Sequence, residues 1–375
     1  MIGDSFRAER RKNEKTMIKR TLIIAALIAS GLTTSVAQTQ TEQYLPGVTT
    51  EGAIYALPKT AVRIAVLVEK TTYAPGDFAP YAERFLRLNN VSMEPSTSYR
   101  IISVSQSAFG VSDSTKYYAI RFNNKTAAIN VARAEDGVLL ALNAEPRFLS
   151  APDVFRAWPK PEADNPRQFM NQEILAAGST AKMAQLTAQE IYDIRSSRSE
   201  LVKGQADFMP QDGEQMKLML SQLDRQDRAL TSLFAGTTVC DTTETVLTVV
   251  ADSTMQRKPL FRFSKHFGLV DADDLSGAPY YISIDNLTQM PPTDEKSAKK
   301  KKKAAYGLYY NVAGRMRSTI SSGNDDVVSQ EEFPAGQFGH VEVLSGDLFN
   351  KHYGTRLWLN PISGDIDKLE AEQPK

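Results

Sequence analysis

Apolar and polar residues alternate along most of this chain, and the alternation gives way to a helical period only once, near the middle. In Tyr55–Glu69, Val62, Ile64, Val66 and Val68 recur at every second position, which predicts a strand with one face against a core. Ala74-Pro-Gly-Asp reads as a turn, and Pro80, whose ring presets φ for a first helical turn, opens a short helix over Tyr81–Leu88 with Phe85 and Leu88 inward. Tyr99–Ser105, Tyr117–Phe122, Ala127–Arg133 and Val138–Leu142 then alternate or are β-branched, and Ser112-Asp-Ser, Asn123-Asn-Lys and Glu135-Asp-Gly between them carry turn chemistry. Between Pro146 and Pro166 the density of proline, around Trp158, predicts an irregular crossing.

The period then lengthens to that of a helix. Thr187-Ala-Gln-Glu190 has the spacing of a capping box, in which hydroxyl and carboxylate satisfy free backbone donors, so a helix is expected to run from there to Lys203 and stop at Gly204. A second is expected from Asp212-Gly-Glu to Phe234, ended by Gly236. Projected at about 100° per residue, the first places Ile191, Ile194, Leu201 and Val202 on one face with Arg198 in its middle. The second places Met216, Met219, Leu220, Leu223, Leu230 and Phe234 together, with Asp227 among them. A charge on an apolar face is costly unless paired. An antiparallel register that sets residue 203 near 213 brings Arg195 within about one turn of Asp224 as an interhelical ion pair. The same register keeps Arg198 and Asp227 apart and sends them to partners in the hairpin loop or the flanking sheets.

Strand signals return at Val246–Val250, Lys258–Phe263, Tyr280–Ile284, Tyr306–Val312, Met316–Ile320, His340–Val343 and Thr355–Leu359, with turns at Ser276-Gly-Ala-Pro, Ser322-Gly-Asn-Asp and Pro361-Ile-Ser-Gly. Residues 291–304 hold five consecutive lysines and no large apolar side chain, so a mobile loop is expected there. The fold class that follows is α+β: a β-rich, mainly antiparallel region over 42–175, a helical hairpin over 176–236 and a second mainly antiparallel β-rich region over 237–369.

Residues 1–37 stand outside that scheme. Met17 opens a basic Lys19-Arg20 pair, an apolar run Leu22–Leu32 and a small-x-small site at Ser35-Val36-Ala37, which is the order of a secretory signal peptide. The polar residues before Met17 read as an over-extended start, and the whole stretch is expected to be removed. The apolar run is too short to span a bilayer of about 30 Å, and no later stretch approaches the roughly 18 apolar residues of a second anchor. The expected location is periplasmic or secreted, with no membrane anchor after cleavage. Without 1–37 the chain holds 37 Lys and Arg against 41 Asp and Glu, a net charge of −4 that gives no reason to expect a nucleic-acid partner. Cys240 is the only cysteine, which excludes an intrachain disulfide; its Thr-Thr-Val-Cys-Asp-Thr-Thr setting predicts a small semi-buried residue.

Chemistry is sparse. His266, His340 and His352 are the only histidines and lack zinc-ligand spacing, so no metal and no cofactor is expected. Asp271-Ala-Asp-Asp-Leu-Ser-Gly departs from a calcium loop, with Ser276 at its sixth position and Ile282 at its twelfth, and reads as an acidic turn. No G-x-S-x-G elbow, P-loop or dinucleotide fingerprint occurs, and no catalytic residue is assigned. The candidate residues are the structural ion-pair set Arg195, Asp224, Arg198 and Asp227, with an exposed binding groove at the hairpin as the alternative reading of the same charges.

Four stretches resemble a known family: Tyr55-Ala-Leu-Pro-Lys-Thr60, Tyr73-Ala-Pro-Gly-Asp-Phe-Ala-Pro-Tyr-Ala-Glu-Arg-Phe-Leu86, Glu190-Ile-Tyr-Asp-Ile-Arg-Ser-Ser-Arg198 and Leu260-Phe-Arg-Phe-Ser-Lys-His-Phe-Gly268. Together they are similar to a domain-of-unknown-function family of exported Bacteroidetes proteins. The resemblance implies a Gram-negative cell envelope and carries no activity, ligand or catalytic residue with it. The function expected from address and absent motifs is a non-enzymatic binding or scaffolding protein of the envelope, whose partner would be an envelope protein or a polysaccharide. Two rivals remain. A glycan- or peptidoglycan-active hydrolase needs two facing carboxylates, and a surface-adhesion component needs Phe261, Phe263, Phe267, Tyr280 and Tyr281 on the surface.

Overall fold

The computed structural model describes residues 40–44, 52–121, 130–148, 150, 153–157, 159, 164–210, 212–289, 307–349 and 354–372. The leader 1–37, the turn at Asn123-Asn-Lys, Trp158 and the lysine-rich segment 291–304 lie outside the described residues. In chain order the elements are β1 (Gln40–Gln43), β2 (Ala53–Ala74), α1 (Ala82–Leu86), β3 (Ser96–Arg121), β4 (Val131–Arg133), β5 (Leu139–Leu142), α2 (Gln172–Leu175), α3 (Thr180–Lys203) and α4 (Gly213–Ala235). There follow β6 (Thr237–Val250), β7 (Met255–Ser264), β8 (Gly268–Val270), β9 (Ala278–Asn286), β10 (Gly307–Ser322), β11 (Val327–Ser345), β12 (Gly354–Leu359) and β13 (Ile366–Glu372). The fold is α+β. Its antiparallel sheets have the orders β1-β3-β2-β6, β11-β10-β9-β7-β8 and β13-β12-β5-β4, so β6 joins strands from before the hairpin and β5 pairs β12 from after it.

Two long strand pairs organise these sheets, and both are longer than the sequence pattern suggests. Ser112-Asp-Ser was expected to reverse the chain, yet β3 passes straight through it: Tyr117 pairs Ala56 and Ser112 pairs Pro58, so residues 113–116 bulge opposite Leu57 alone. The turn chemistry is spent inside the bulge, where Asp113 accepts from Thr115 N at 2.9 Å and Thr115 Oγ1 at 2.7 Å. The strands expected at Tyr306–Val312 and Met316–Ile320 likewise merge into β10 from Gly307 onward, Tyr306 lying outside the described residues. Its partner β11 absorbs the interruption, with Val312 opposite His340 and Gly314 opposite Ala335, so that residues 336–339 bulge against Ala313.

The two bulges meet. Lys116, at the end of the β3 bulge, points its ammonium at the Gly336 carbonyl (3.2 Å) and at Asn311 Oδ1 (3.3 Å), with the Asp113 carboxylate 3.9 Å away. Burial lowers the Lys116 pKa against the opposing pull of Asp113. Asn311 is fully buried on β10, and its amide donates to the carbonyls of Pro58 and Ser363, each at 2.8 Å. These are backbone acceptors that the irregular strands leave unused. Thr60 N donates to Gln337 Oε1 at 2.8 Å, and Gln337 Nε2 returns a bond to Thr60 O at 2.9 Å. Gly336 and Gly364 complete the joint because a side chain has no room: a Cβ on Gly336 would lie 2.6 Å from both the Pro58 and Ser363 carbonyl oxygens.

Apolar cores lie on either side of this joint. On one, Val62, Ile64 and Val66 of β2 pack against Phe261, Ile282, Ile284, Met316 and Ile320 from the five-stranded sheet. On the other, Tyr55, Leu57 and Ile120 pack against Leu139, Leu142, Leu357 and Leu359 from the third sheet. The β2–β3 and β10–β11 pairs run through both. Of the aromatic set considered for adhesion, Phe261 is buried and Phe263, Tyr280 and Tyr281 are half-buried, while Phe267 stands exposed on the turn between β7 and β8.

Replacing Asn311 by leucine leaves the Pro58 and Ser363 carbonyls without this donor and takes one acceptor from the Lys116 ammonium; a buried polar group left unsatisfied costs about 1–3 kcal/mol. Urea unfolding of Asn311→Leu is expected to show a loss of about 2–5 kcal/mol, and Gly336→Ala a loss of similar size. A change under about 1 kcal/mol in both would show that the joint does not carry the fold.

Candidate functional site

The helical hairpin is anchored at its base and open at its tip. At the base, Phe78, Ala82 and Leu86 pack on Ala184, Ala188, Ile191, Leu230 and Phe234, and Phe78 N donates to the Leu233 carbonyl at 2.7 Å. The start of α3 lies a full two turns before the expected capping box: Ser179 is the N-cap, accepting from Lys182 N at 3.3 Å. Thr187 is inside the helix instead, buried, with its hydroxyl bonded back to the Met183 carbonyl at 2.9 Å, and Glu190 accepts from Asn171 at 2.9 Å. Ala181-Lys-Met-Ala184 are strong helix formers, so the helix propagates upstream past the box. The other ends agree with the sequence. Gly204 caps α3 in the left-handed conformation, Asp212 caps α4 by accepting from Gln215 N at 2.7 Å, and Gly236 ends it.

The four candidate charges do come together across the hairpin, in a different pairing. Arg195 Nε lies 3.0 Å from Asp227 Oδ1, and Arg198 Nε lies 2.8 Å from Asp224 Oδ1. The expected Arg195–Asp224 pair does not form, and neither Arg198 nor Asp227 goes to the loop or the sheets. The cause is register. The two pairs put Lys203 level with a residue about six positions into α4, so the first turns of α4 overhang the end of α3. Nor does Arg198 sit within a buried face: Ile191, Ile194 and Leu201 are buried, but Val202 is 64 % exposed, which leaves Arg198 at the edge of a narrower stripe. On the far side of α4, Arg225 holds Asp164, with Nε 2.7 Å from Oδ1, and this hydrogen bond pulls the Asp164 carboxyl below its usual range.

The overhang makes the site. All four buried residues of α4 (Ala229, Leu230, Leu233 and Phe234) lie in its last two turns, while Met216, Met219, Leu220 and Leu223 upstream are only half-buried. Between the two helix tips and the loop opens a groove of about 530 Å³, lined by Glu200, Leu201, Phe208, Leu218, Met219 and Leu223 among others. Phe208 and Leu218 are 63 % and 61 % exposed at its mouth, and Met209 beside them is also exposed. Sequence projection missed Phe208 and Leu218. The signal for Phe208-Met209 was present, as an apolar pair inside a polar connection; Leu218 falls off the helix face that the remaining residues define.

A second polar cluster lies where β10, β11 and the β12–β13 turn converge. His340 Nε2 is 3.0 Å from Glu342 Oε1, Tyr310 Oη donates to Glu342 Oε2 at 3.3 Å, and Asp365 Oδ2 accepts from Ala313 N at 3.3 Å. Burial raises the Asp365 pKa, opposed by backbone hydrogen bonds. Among the described residues, no group of three or more His, Cys, Asp or Glu side chains is placed to hold a metal ion. The acidic turn at Asp271–Gly277 closes on itself, Asp274 accepting from Ser276 N at 2.9 Å, and is gripped by Arg262 through the carbonyls of Ala272 and Gly277. Cys240 is exposed rather than semi-buried, because β6 is an edge strand; its sulfur is 3.7 Å from Thr71 Oγ1.

The architecture thus defines an α+β class of three antiparallel sheets carrying one helical hairpin. Residues 51–367 match a family described as a domain of unknown function (DUF4831), and the chain belongs to that family. Comparison with curated proteins and with solved structures gives no match. Among the described residues no helix is long and apolar enough to cross a membrane.

The register is tested by charge exchange. Arg195→Asp and Asp227→Arg should each lower the melting temperature, and the double reversal should restore it; exposed pairs of this kind carry about 0.2–1 kcal/mol. Absence of any recovery in the double variant would refute the pairing. Asp365 gives a pH dependence with a defined sign. Its folded-state pKa lies above the ordinary 3.8, so the stability it contributes is fully present below that value and is lost as pH rises through the folded-state value. Asp365→Asn keeps an acceptor for Ala313 N and removes the titration. The stability difference should therefore move in favour of the variant as unfolding is measured at increasing pH above 3.8; a difference that stays constant with pH would contradict it.

Proposed function

We propose that this chain is an exported, non-enzymatic binding or scaffolding protein of the cell envelope that meets its partner through the tip of the helical hairpin. The observation that carries the reading is the unfilled groove between α3 and α4. A 23-residue helix fully buries side chains only in its last two turns, and its first turns carry Met216, Met219 and Leu220 half-covered and Leu218 exposed, with Phe208 of the loop exposed beside them. Monomeric proteins seldom keep clustered large apolar side chains at a surface without a use for them. Export is supported by the order of residues 17–37, basic then apolar then small. The helices bring rigidity as well. The base of the hairpin is fixed to β2 and α1 through Phe78, so the tip is presented on a stiff arm.

The test is an affinity pull-down with the protein from Gln38 onward, against envelope extract and against cell-wall polysaccharide, beside the variant Phe208→Ser/Leu218→Ser. Retention of one protein or polysaccharide by the wild type and at least a tenfold lower recovery by the variant is expected. Recovery of nothing above background by the wild type, or equal recovery by both, would overturn the proposal.

A further inference from the structure

We infer that the hairpin groove takes an amphipathic helix of a partner protein, one with leucine-like anchors on one face and lysine or arginine beside them. The inference rests on the binding role proposed above and specifies its ligand.

The secondary structure of the occupant follows from the groove wall. Leu201 belongs to α3, and Leu218, Met219 and Leu223 to α4, whose backbone donors and acceptors are consumed within the helices. Among the described residues no strand lines the groove, so an extended segment would find no ladder to join, and recognition falls mainly to side chains. A third helix laid between two others packs ridges into grooves at an axis separation of about 8–10 Å and converts the open tip into a three-helix core. From Gly213 to Leu223 the part of α4 without a fully buried side chain runs about 16 Å, enough for two or three turns of a bound helix with anchors at i, i+4 and i+7.

The charge of the occupant follows from the rim. Along the chain segment that forms the tip, from Glu200 to Leu218, stand four carboxylates (Glu200, Asp207, Asp212 and Glu214) against two ammonium groups, Lys203 and Lys217; Asp212 is engaged as the α4 N-cap. Lys217 is already bound to Glu214 at 3.0 Å. Glu200 lines the groove itself, and Asp207 precedes the exposed Phe208. A net negative mouth around an apolar floor favours a basic amphipathic ligand. It disfavours a second copy of this chain, which would bring the same negative rim against its own, and it disfavours an anionic lipid surface for the same reason.

The experiment uses the purified protein and two fluorescein-labelled synthetic helices with the same leucine pattern, one with lysine and one with glutamate at every polar position. The lysine helix is expected to bind, the glutamate helix at least tenfold more weakly, and Phe208→Ser/Leu218→Ser to reduce lysine-helix binding at least tenfold. Glu200→Gln/Asp207→Asn should lower lysine-helix affinity several-fold without altering the melting temperature, since both carboxylates are exposed. Equal affinity for the two helices, lysine-helix binding that survives loss of Phe208 and Leu218, or no binding of either helix would overturn the inference. Groove-dependent dimerisation in sedimentation, or groove-dependent capture by vesicles of phosphatidylglycerol, would overturn it in favour of those occupants. The pull-down stands apart: a groove-dependent partner recovered there while both synthetic helices fail leaves a binding protein with a different ligand.

Discussion

Asn311 occupies the point at which the three sheets have to agree. Each long strand pair, β2–β3 and β10–β11, crosses from one apolar core to another, and a regular pair cannot do so without changing which face it buries. The bulges at 113–116 and 336–339 supply that change, and each releases backbone groups from the ladder, some of them beside the buried Asn311 and Gly336. One buried amide, two glycines and a half-buried lysine satisfy them. Pro58 helps from the other side: it has no N–H to lose, so its strand tolerates the break in pairing and keeps only a carbonyl to be met. Tyr55 makes a similar repair one layer away, donating to Tyr309 O and accepting from Tyr309 N, both at 3.1 Å, with burial raising its pKa. The polar joint fixes the relative placement of the sheets, and the oily residues on either side supply the bulk of the burial.

The hairpin obeys a different economy. Its base is part of the fold, tied by Phe78 to α1 and to the end of β2, and its tip is not. The two ion pairs, Arg195–Asp227 and Arg198–Asp224, are half-exposed and contribute little to stability. Both pairs fit one register of the two helices, the register that creates the overhang. An interhelical shift that buried Leu218 would separate both pairs. The groove and the charges are therefore one feature, which is why two readings of the same residues, a structural pair or a binding site, both have a place.

Much of this was legible in the residues. The period-two runs marked β2, β6, β7, β9 and β12, the caps at Gly204, Asp212 and Gly236 marked the hairpin, and the turns at Ser322-Gly-Asn-Asp and Pro361-Ile-Ser-Gly lie where their composition puts them. The length of β3 and β10 was not legible, because Ser112-Asp-Ser carries the residues of a reversal and the apolar pattern breaks between Val312 and Met316, and only a paired strand on each side turns such an interruption into a bulge. The capping box at Thr187–Glu190 misled for a related reason: a local signal for a helix start yields to upstream residues that continue the helix once Ala184 finds a core.

By itself the sequence determined the class of the fold, the existence of the hairpin and three of its four helix ends, the positions of the charges and the lack of an intrachain disulfide, since each follows from local periodicity, capping chemistry or a count of residues. Tertiary structure alone decided which arginine meets which aspartate, that strands from both sides of the hairpin share sheets, and that Phe208 and Leu218 face an open groove. Those are properties of register between segments distant in the chain. A shift of a few residues leaves every local preference intact while changing every partner, so no local pattern can encode it.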